Sequence, residues 1–377
     1  VKLMVIGEVD VLNAAANETR NRSLNKIVEK YLMAFPSVLY FGPGSKFDTS
    51  TIADFGLSMV STDAYSKRAF KRVQYLLSNT IYGQLDEIIE KYQPDWVQIR
   101  VPSVFALKCG LYISSKHDIK IAAYVAGDWL ESLQGNYNSR VVSLIGRAFN
   151  TSQLKLLRKS VVVTAGDVLK NNLSNVCDCY AYYSTTHDAV YYNSVRQKHI
   201  LVVGRLENLK RPHIPLLCLA RLNERVGPSF RLTFLGDGPE KQMLLDMADR
   251  LGLGSQVVIH GYESNGEIIR QLYLNSKYLI HASETEGTSK VLSEAMAHGV
   301  VPLAIRDVGS NNYILEHCSN RLVDACDIKI SEAILEFEED ASKYNEVVAK
   351  GYSYAVAHTL TEEVENMWDW CFGKLKP

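Results

Sequence analysis

Glu286 and Glu294 bracket the segment Glu286-Gly287-Thr288-Ser289-Lys290-Val-Leu-Ser-Glu294, and the apolar run Tyr278 to Ala282 leads into it. That run predicts a buried parallel strand, Thr288 or Ser289 a helix cap, and Gly299 followed by Pro302 the end of the helix. Glu286 then falls in the strand-to-helix loop, and Glu294 about a turn inside the helix. A helix start offers unpaired N–H groups and a positive dipole end, which suit a phosphate, while two carboxylates accept hydrogen bonds from sugar and ribose hydroxyls. Residues of these types at this spacing suit a nucleotide-sugar, its anionic and polyol parts held side by side.

Upstream, the run Ile200 to Val203 delivers Gly204 and then Arg205 and Lys210 into a loop before a helix. In open α/β sheets ligands bind at that carboxyl edge. Arg205 offers a planar fork and Lys210 a point charge, suited to a diphosphate whose negative charge grows as it leaves. The next strand runs into Gly236-Asp-Gly238-Pro239, where glycines admit close approach of the backbone to a ligand. The third glycine of a dinucleotide fingerprint would fall at Lys241, and no acidic residue ends the following strand, where His260-Gly261-Tyr262 stands instead. An oxidoreductase is excluded on that ground. Tyr262 is a candidate for stacking on a nucleotide base.

In the first half Gly7 closes the opening strand, Arg100 follows Trp96 to Ile99, and Asp128 follows Ile119 to Val125. Asp128 is the catalytic candidate of this half, placed to orient a sugar or acceptor hydroxyl, or in the plainer reading to cap a helix. Arg100 and Gly7 are candidates for the acceptor side, Arg100 gripping an anionic acceptor. His187, His260, His281 and His298 lack metal-ligand spacing and read as structural or solvated. No Asp-x-Asp motif stands in a suitable loop, so neither a metal nor another cofactor is expected.

Two sheets are needed to position these residues. Short apolar strands alternate with amphipathic helices: Lys2 to Gly7, Val38 to Phe41, Trp96 to Val101, Ile119 to Val125 and Val161 to Thr164, then Ile200 to Val203, Arg231 to Leu235, Val257 to His260, Tyr278 to Ala282 and Pro302 to Ile305. The alternation implies parallel sheets covered on both faces, and 377 residues exceed what one core usually organises. Two similar α/β domains are expected, residues 1–192 and 199–355, joined near Tyr191 to Lys198. Residues 356–377 form a further amphipathic helix carrying Trp368 and Trp370.

Hydrophobic residues make up 47% of the chain and no stretch approaches the roughly 20 apolar residues of a membrane span, so a soluble protein is expected. The opening residues show no leader pattern and the seven scattered cysteines no disulfide framework, which points to the cytoplasm. Net charge is −1, but residues 1–190 hold 21 Lys and Arg against 17 Asp and Glu. Part of that excess lies in the helix-like segment Tyr65 to Leu77, where Lys67, Arg68, Lys71 and Arg72 form one face. This face reads either as a peripheral contact with the inner side of a membrane or as a solvated face on a core-packing helix. Nucleic acid is not an expected partner.

Taken in order, Gly204-Arg205 with Lys210, Gly236-Asp-Gly238-Pro239, Val257 to Gly261, and Glu286-Gly287 with Glu294 and Gly299 resemble the donor-domain signature of the family 4 retaining glycosyltransferases, of group 1, over residues 199–323. The resemblance implies an α/β fold of two Rossmann-like domains facing a central cleft, the glycosyltransferase B type, whose last helix crosses back to the first domain. It further implies that Arg205 and Lys210 bind the diphosphate, that amides of Thr288 to Lys290 meet a phosphate, that Glu294 binds ribose and that Glu286 binds the donor sugar. The implied activity moves a sugar from a nucleotide-diphosphate sugar, carrying UDP or GDP, to a saccharide or lipid-linked acceptor in cell-surface polysaccharide or glycolipid assembly. Configuration is retained without a metal, by attack from the face the diphosphate leaves. The chain departs from the pattern at Thr288-Ser289, where an aromatic residue and a glycine are common, at Ser310, and after Gly7, where a second glycine is usual. A nucleotide-sugar 2-epimerase of the same fold and a non-catalytic nucleotide-sugar binding module are the alternatives.

Overall fold

The structure, a computed structural model, describes residues 1–65, 75–76, 78–127, 129, 140–193, 196–316 and 322–374. They divide into two units, Val1–Tyr182 with Leu360–Pro377, and Tyr183–Thr359. In the first, β1 (Lys2–Ile6), a short antiparallel pair β2 (Val11–Asn13) and β3 (Glu18–Thr19), α1 (Arg22–Lys30), β4 (Ser37–Pro43), β5 (Gly56–Thr62), α2 (Thr80–Tyr92), β6 (Trp96–Val101), α3 (Val104–Lys116), β7 (Lys120–Val125), α4 (Arg140–Leu157), β8 (Val161–Ala165), α5 (Asp167–Leu173) and β9 (Cys179–Tyr182) follow one another. Among them one parallel sheet runs in the order β5-β4-β1-β6-β7-β8-β9. Successive residues of a strand point to opposite faces, so Met4 and Ile6 of β1 enter one apolar core and Leu3 and Val5 the other. Both faces are covered, which is why β1 reads as an unbroken apolar run.

The second unit holds β10 (His199–Val203), α6 (His213–Val226), β11 (Arg231–Leu235), α7 (Lys241–Arg250), β12 (Val257–Gly261), α8 (Gly266–Asn275), β13 (Tyr278–His281), α9 (Lys290–Ala297), β14 (Val301–Ile305), α10 (Asn311–Glu316), β15 (Leu322–Val323), α11 (Asp327–Glu339) and α12 (Ala341–Ala357). Its parallel sheet runs β12-β11-β10-β13-β14-β15. The chain adds strands outward on one side of β10, then returns to place β13 on the other. β10 and β13 therefore flank the point where the winding reverses, the place at which open α/β sheets bind ligands beyond their strand ends.

The last helix, α13 (Leu360–Gly373), belongs to the first unit. Its Trp368 is buried with ring centroids 4.6 Å from Phe35, 5.5 Å from Tyr31 and 5.8 Å from Trp96, all near edge-on. Lys30 Nζ donates to Thr361 Oγ1 at 2.9 Å beside it. Truncating a core tryptophan typically costs about 3–5 kcal/mol, enough to tie down a terminal helix.

Two expectations need correction. The join between units falls at Tyr183, ahead of Tyr191 to Lys198. Polarity suggested a linker there, but the preceding residues are already anchored in the second unit: Tyr183 stacks on Tyr313 at 4.1 Å, His187 Nε2 donates to the Ala355 carbonyl at 2.8 Å, and Tyr191 N donates to the Ala297 carbonyl at 2.7 Å. The strand β5 was also unforeseen. Its buried Ser58, Ser61 and Thr62 hide the apolar pattern, and the fold satisfies them locally, Ser61 Oγ donating to the Lys46 carbonyl at 2.6 Å and Thr62 Oγ1 to Gln84 Oε1 at 2.6 Å.

Candidate functional site

Because β10 pairs with β13, the loops leaving their carboxyl ends run side by side. Glu284 N donates to the Leu209 carbonyl at 2.8 Å, stitching one loop to the other, and Arg211 Nη2 lies 3.3 Å from Glu284 Oε2. Lys210 ends a single 3-10 turn, Asn208–Lys210, and Arg211 after it takes the left-handed conformation, φ 45°. This turn aims Lys210 at the acidic loop, and its Nζ donates to Glu286 Oε1. The two members of this pair lie 76 residues apart in sequence.

His281, the last residue of β13, joins them. Its Nε2 sits 3.3 Å from the same Glu286 oxygen, with the side chain 8% exposed, yet lacks the alignment of a hydrogen bond. Burial alone would raise the Glu286 pKa, but His281 and Lys210 together override it and hold the carboxyl at about 2. Glu286 is thus ionised across the whole working pH range. It can accept hydrogen bonds and cannot serve as a proton donor. The sequence reading had set His281 aside as structural or solvated; its position at a strand's carboxyl end, five residues before Glu286, was the available signal.

The neighbouring corner explains the glycines. Leu206 N donates to the Asp237 carbonyl at 3.0 Å and Glu240 N to the Leu206 carbonyl at 2.9 Å, so the loops after β10 and β11 pack backbone on backbone. A Cβ on Gly236, where φ is 158°, would stand 1.8 Å from the Gly204 carbonyl oxygen, and one on Gly238 would stand 2.3 Å from that of Leu206. Protein packing already demands glycine at both, a requirement that the sequence reading had not assigned to them. Arg205 lies in the same corner, 77% exposed, with Nη1 3.6 Å from Glu207 Oε2. Tyr262, directly after β12 at the edge of the sheet, is 73% exposed.

On the acidic side the loop before α10 backs the site. The Gly287 carbonyl accepts from Ser310 N at 3.0 Å and from Ser310 Oγ at 3.2 Å, while a Cβ on Gly309, φ 48°, would fall 2.4 Å from the Glu286 carbonyl oxygen. Ser289 stands at the cap position of α9, but its hydroxyl donates to Asn311 Oδ1 at 2.7 Å instead of capping the helix. The expected cap bond is not made, and the hydroxyl instead ties α9 to α10 through Asn311, itself anchored to the Ile305 carbonyl at 2.9 Å. Thr288 Oγ1 beside it is buried with no hydrogen-bond partner. Lys290 opens the helix, and Glu294, its fifth residue, accepts from Thr186 Oγ1 on Oε1 and from the Tyr273 hydroxyl on Oε2 at 3.0 Å.

The first unit brings two of its candidates together at its own reversal point, the ends of β1 and β6. A Cβ on Gly7 would lie 3.4 Å from Arg100 Cδ and 3.0 Å from the Tyr40 hydroxyl, and the Arg100 guanidinium rests 4.5 Å from the centre of the Tyr124 ring. Asp128 and the basic face of Lys67, Arg68, Lys71 and Arg72 lie outside the described residues. Among the described residues no group of three or more His, Cys, Asp or Glu is arranged to hold a metal, and no helix is long and apolar enough to cross a membrane.

The span carrying Arg205, Lys210, Glu286 and Glu294 also carries the family match: residues 185–354 fit the glycosyl transferases group 1. By this match the second unit resembles a group 1 glycosyl transferase domain. Among curated proteins the chain is similar to protein CapJ of Staphylococcus aureus, 25% identical over 232 residues, covering 58% of this chain and 57% of that protein. It is also similar to an N-acetylgalactosamine-N,N'-diacetylbacillosaminyl-diphospho-undecaprenol 4-alpha-N-acetylgalactosaminyltransferase of Campylobacter jejuni, 24% identical over 204 residues, covering 50% of this chain and 54% of that enzyme. The chain thus matches little more than half the length of these relatives. Similar solved structures include a sucrose-phosphate synthase from Thermosynechococcus elongatus, with TM-score 0.73, 13% identity and 99% of each chain covered. Anabaena HepE in complex with UDP gives TM-score 0.72 at 14% identity over 100% of both chains. These likenesses show the fold: two Rossmann-like α/β units of the glycosyltransferase B type, the second of them carrying the group 1 match.

Proposed function

We propose that the protein is a retaining glycosyltransferase that moves a sugar from a nucleotide-diphosphate sugar to a saccharide or lipid-linked acceptor in the assembly of cell-surface polysaccharide or glycoconjugate. One observation carries this reading: at the winding reversal of the second unit a lysine and an ionised, largely buried glutamate meet across two adjacent strand ends. Lys210 uses one of its three N–H bonds on Glu286 and keeps the others for a diphosphate. Arg205 supplies a second, exposed cation from the solvent side. The start of α9, with the orphaned hydroxyl of Thr288, faces the charge that grows on the departing phosphate.

Glu286 holds the donor sugar by accepting from its hydroxyls. Its tight compensation by Lys210 and His281 makes it a poor nucleophile, which favours front-side attack over a covalent glycosyl intermediate. The acceptor hydroxyl then passes its proton to the leaving phosphate, and no metal is required. Gly7 and Arg100 are the candidates for binding the acceptor, and Asp128 for orienting a sugar or acceptor hydroxyl. Support for the substrate classes comes from the relatives' names, one an enzyme acting on a diphospho-undecaprenol glycan and another a protein crystallised with UDP and glucose.

The test is product analysis. Purified protein is screened with UDP- and GDP-sugars against lipid-linked and free saccharide acceptors in the presence of a chelator, and the anomeric configuration of the product is read by NMR. An α-configured donor is expected to give an α-linked product with turnover unaffected by the chelator. An inverted product, or a requirement for a divalent ion, would overturn the mechanism.

A further inference from the structure

Among the described residues the hydrogen bonds on the Glu294 carboxylate come from two residues outside the motif. Thr186, on the segment that enters the second unit, donates to Oε1, and Tyr273 of α8 donates to Oε2 at 3.0 Å. Neither donor is free to drift. The Thr186 segment is pinned by its neighbours, Thr185 Oγ1 meeting His187 Nδ1 at 2.6 Å and His187 Nε2 the Ala355 carbonyl at 2.8 Å. Tyr273 is 1% exposed and stacks on His298 at 4.9 Å and 15°, while His298 stacks in turn on Tyr191 at 4.9 Å and 15°. His298 Nδ1 donates to the backbone carbonyl of Glu294 itself at 2.7 Å, closing the arrangement around one helical turn. Burial, reinforced by the charge of Glu294, raises the Tyr273 pKa well above its ordinary value, so its hydroxyl always donates.

We infer that Thr186 and Tyr273 are positioning residues for the nucleotide ribose: one on each oxygen, they fix the plane of the Glu294 carboxylate so that its remaining lone pairs meet a vicinal diol. This rests on the reading of Glu294 as the ribose-binding group. A carboxylate offers about four acceptor sites, two of which are used here, leaving one on each oxygen for the 2'- and 3'-hydroxyls. A glutamate side chain otherwise loses rotamer freedom when it binds, and fixing it beforehand removes that cost from ligand binding. The residues that do this are a threonine 108 positions before Glu294 and a tyrosine 21 before it, joined to it only through the fold.

The experiment is a ligand and variant cycle by titration calorimetry on the full chain, using UDP against 2'-deoxy-UDP, and GDP against its 2'-deoxy form. The wild-type protein is expected to prefer the ribonucleotide by about tenfold, as for a hydrogen bond to a charged group, and Glu294→Gln to lose most of that preference. Thr186→Val and Tyr273→Phe are each expected to weaken ribonucleotide binding about five- to tenfold while leaving the deoxyribonucleotide nearly unchanged, and Thr186→Ser to restore the preference. If Glu294→Gln abolishes the preference but Thr186→Val and Tyr273→Phe retain it, the positioning role is refuted while the ribose reading survives. Tighter ribonucleotide binding in Thr186→Val would also refute it, marking Thr186 as a competitor for the same oxygen. If the wild-type protein shows no ribose preference with either base, both the ribose reading and the inference fall.

Discussion

The two sheets reverse their winding in the same way yet surround the cation at the reversal differently. In the second unit the ends of β10 and β13 hold a compensated pair, Lys210 on Glu286 with His281 beside them. In the first, the ends of β1 and β6 hold Arg100 over the face of Tyr124, among the buried phenols of Tyr31 and Tyr40. Burial raises the pKa of all three tyrosines against the opposing influence of Arg100, Tyr31 to about 12, so they stay neutral at working pH. A topology therefore supplies the location of a site but not its chemistry. The side chains at the strand ends set that chemistry.

The largest expected effect that would break this comparison lies at Lys210. Lys210→Ala should lower turnover by roughly two to three powers of ten, a loss of about 3–4 kcal/mol in transition-state stabilisation, because the departing diphosphate loses its fixed cation. Steady-state kinetics with saturating donor reads this, and wild-type turnover in the variant would remove Lys210 from the chemistry.

A smaller effect sharpens the contrast through acid. Glu286 has a folded pKa of about 2 against an ordinary 4.5, so its contribution to stability is complete above about 4.5 and is lost as pH falls towards 2. Relative to Glu286→Gln, the wild-type protein should therefore be more stable at pH 7 by about 2 kcal/mol, an advantage that shrinks between pH 4.5 and 2. Denaturant unfolding of both proteins across that range measures it, and the difference cancels the titration of groups they share. An advantage independent of pH would mean that Glu286 is not held ionised by Lys210 and His281.

Much of this arrangement was legible in the sequence because it depends on strand ends. Apolar runs such as Ile200 to Val203 and Tyr278 to Ala282 locate β10 and β13, and Lys210 and Glu286 follow from what lies just beyond them. What stayed hidden has physical causes. The serines and threonine of β5 are satisfied by partners that only the fold supplies, so no apolar alternation marks the strand. The hydroxyl of Ser289 could bond to its own helix or to Asn311, and only the packing of α10 decides between them. Thr186 and Tyr273 carry no local signal at all, since their part is defined by a carboxylate that reaches them through tertiary structure.

The most direct test of the central claim is to titrate the wild-type protein, Lys210→Ala and Arg100→Ala with a nucleoside diphosphate and its monophosphate, UDP and UMP first, then GDP and GMP. If the corner of β10 and β13 holds the diphosphate, Lys210→Ala should bind the diphosphate at least tenfold more weakly and the monophosphate almost as well, while Arg100→Ala alters neither. Equal losses for both ligands, or undiminished diphosphate affinity in Lys210→Ala, would contradict the account.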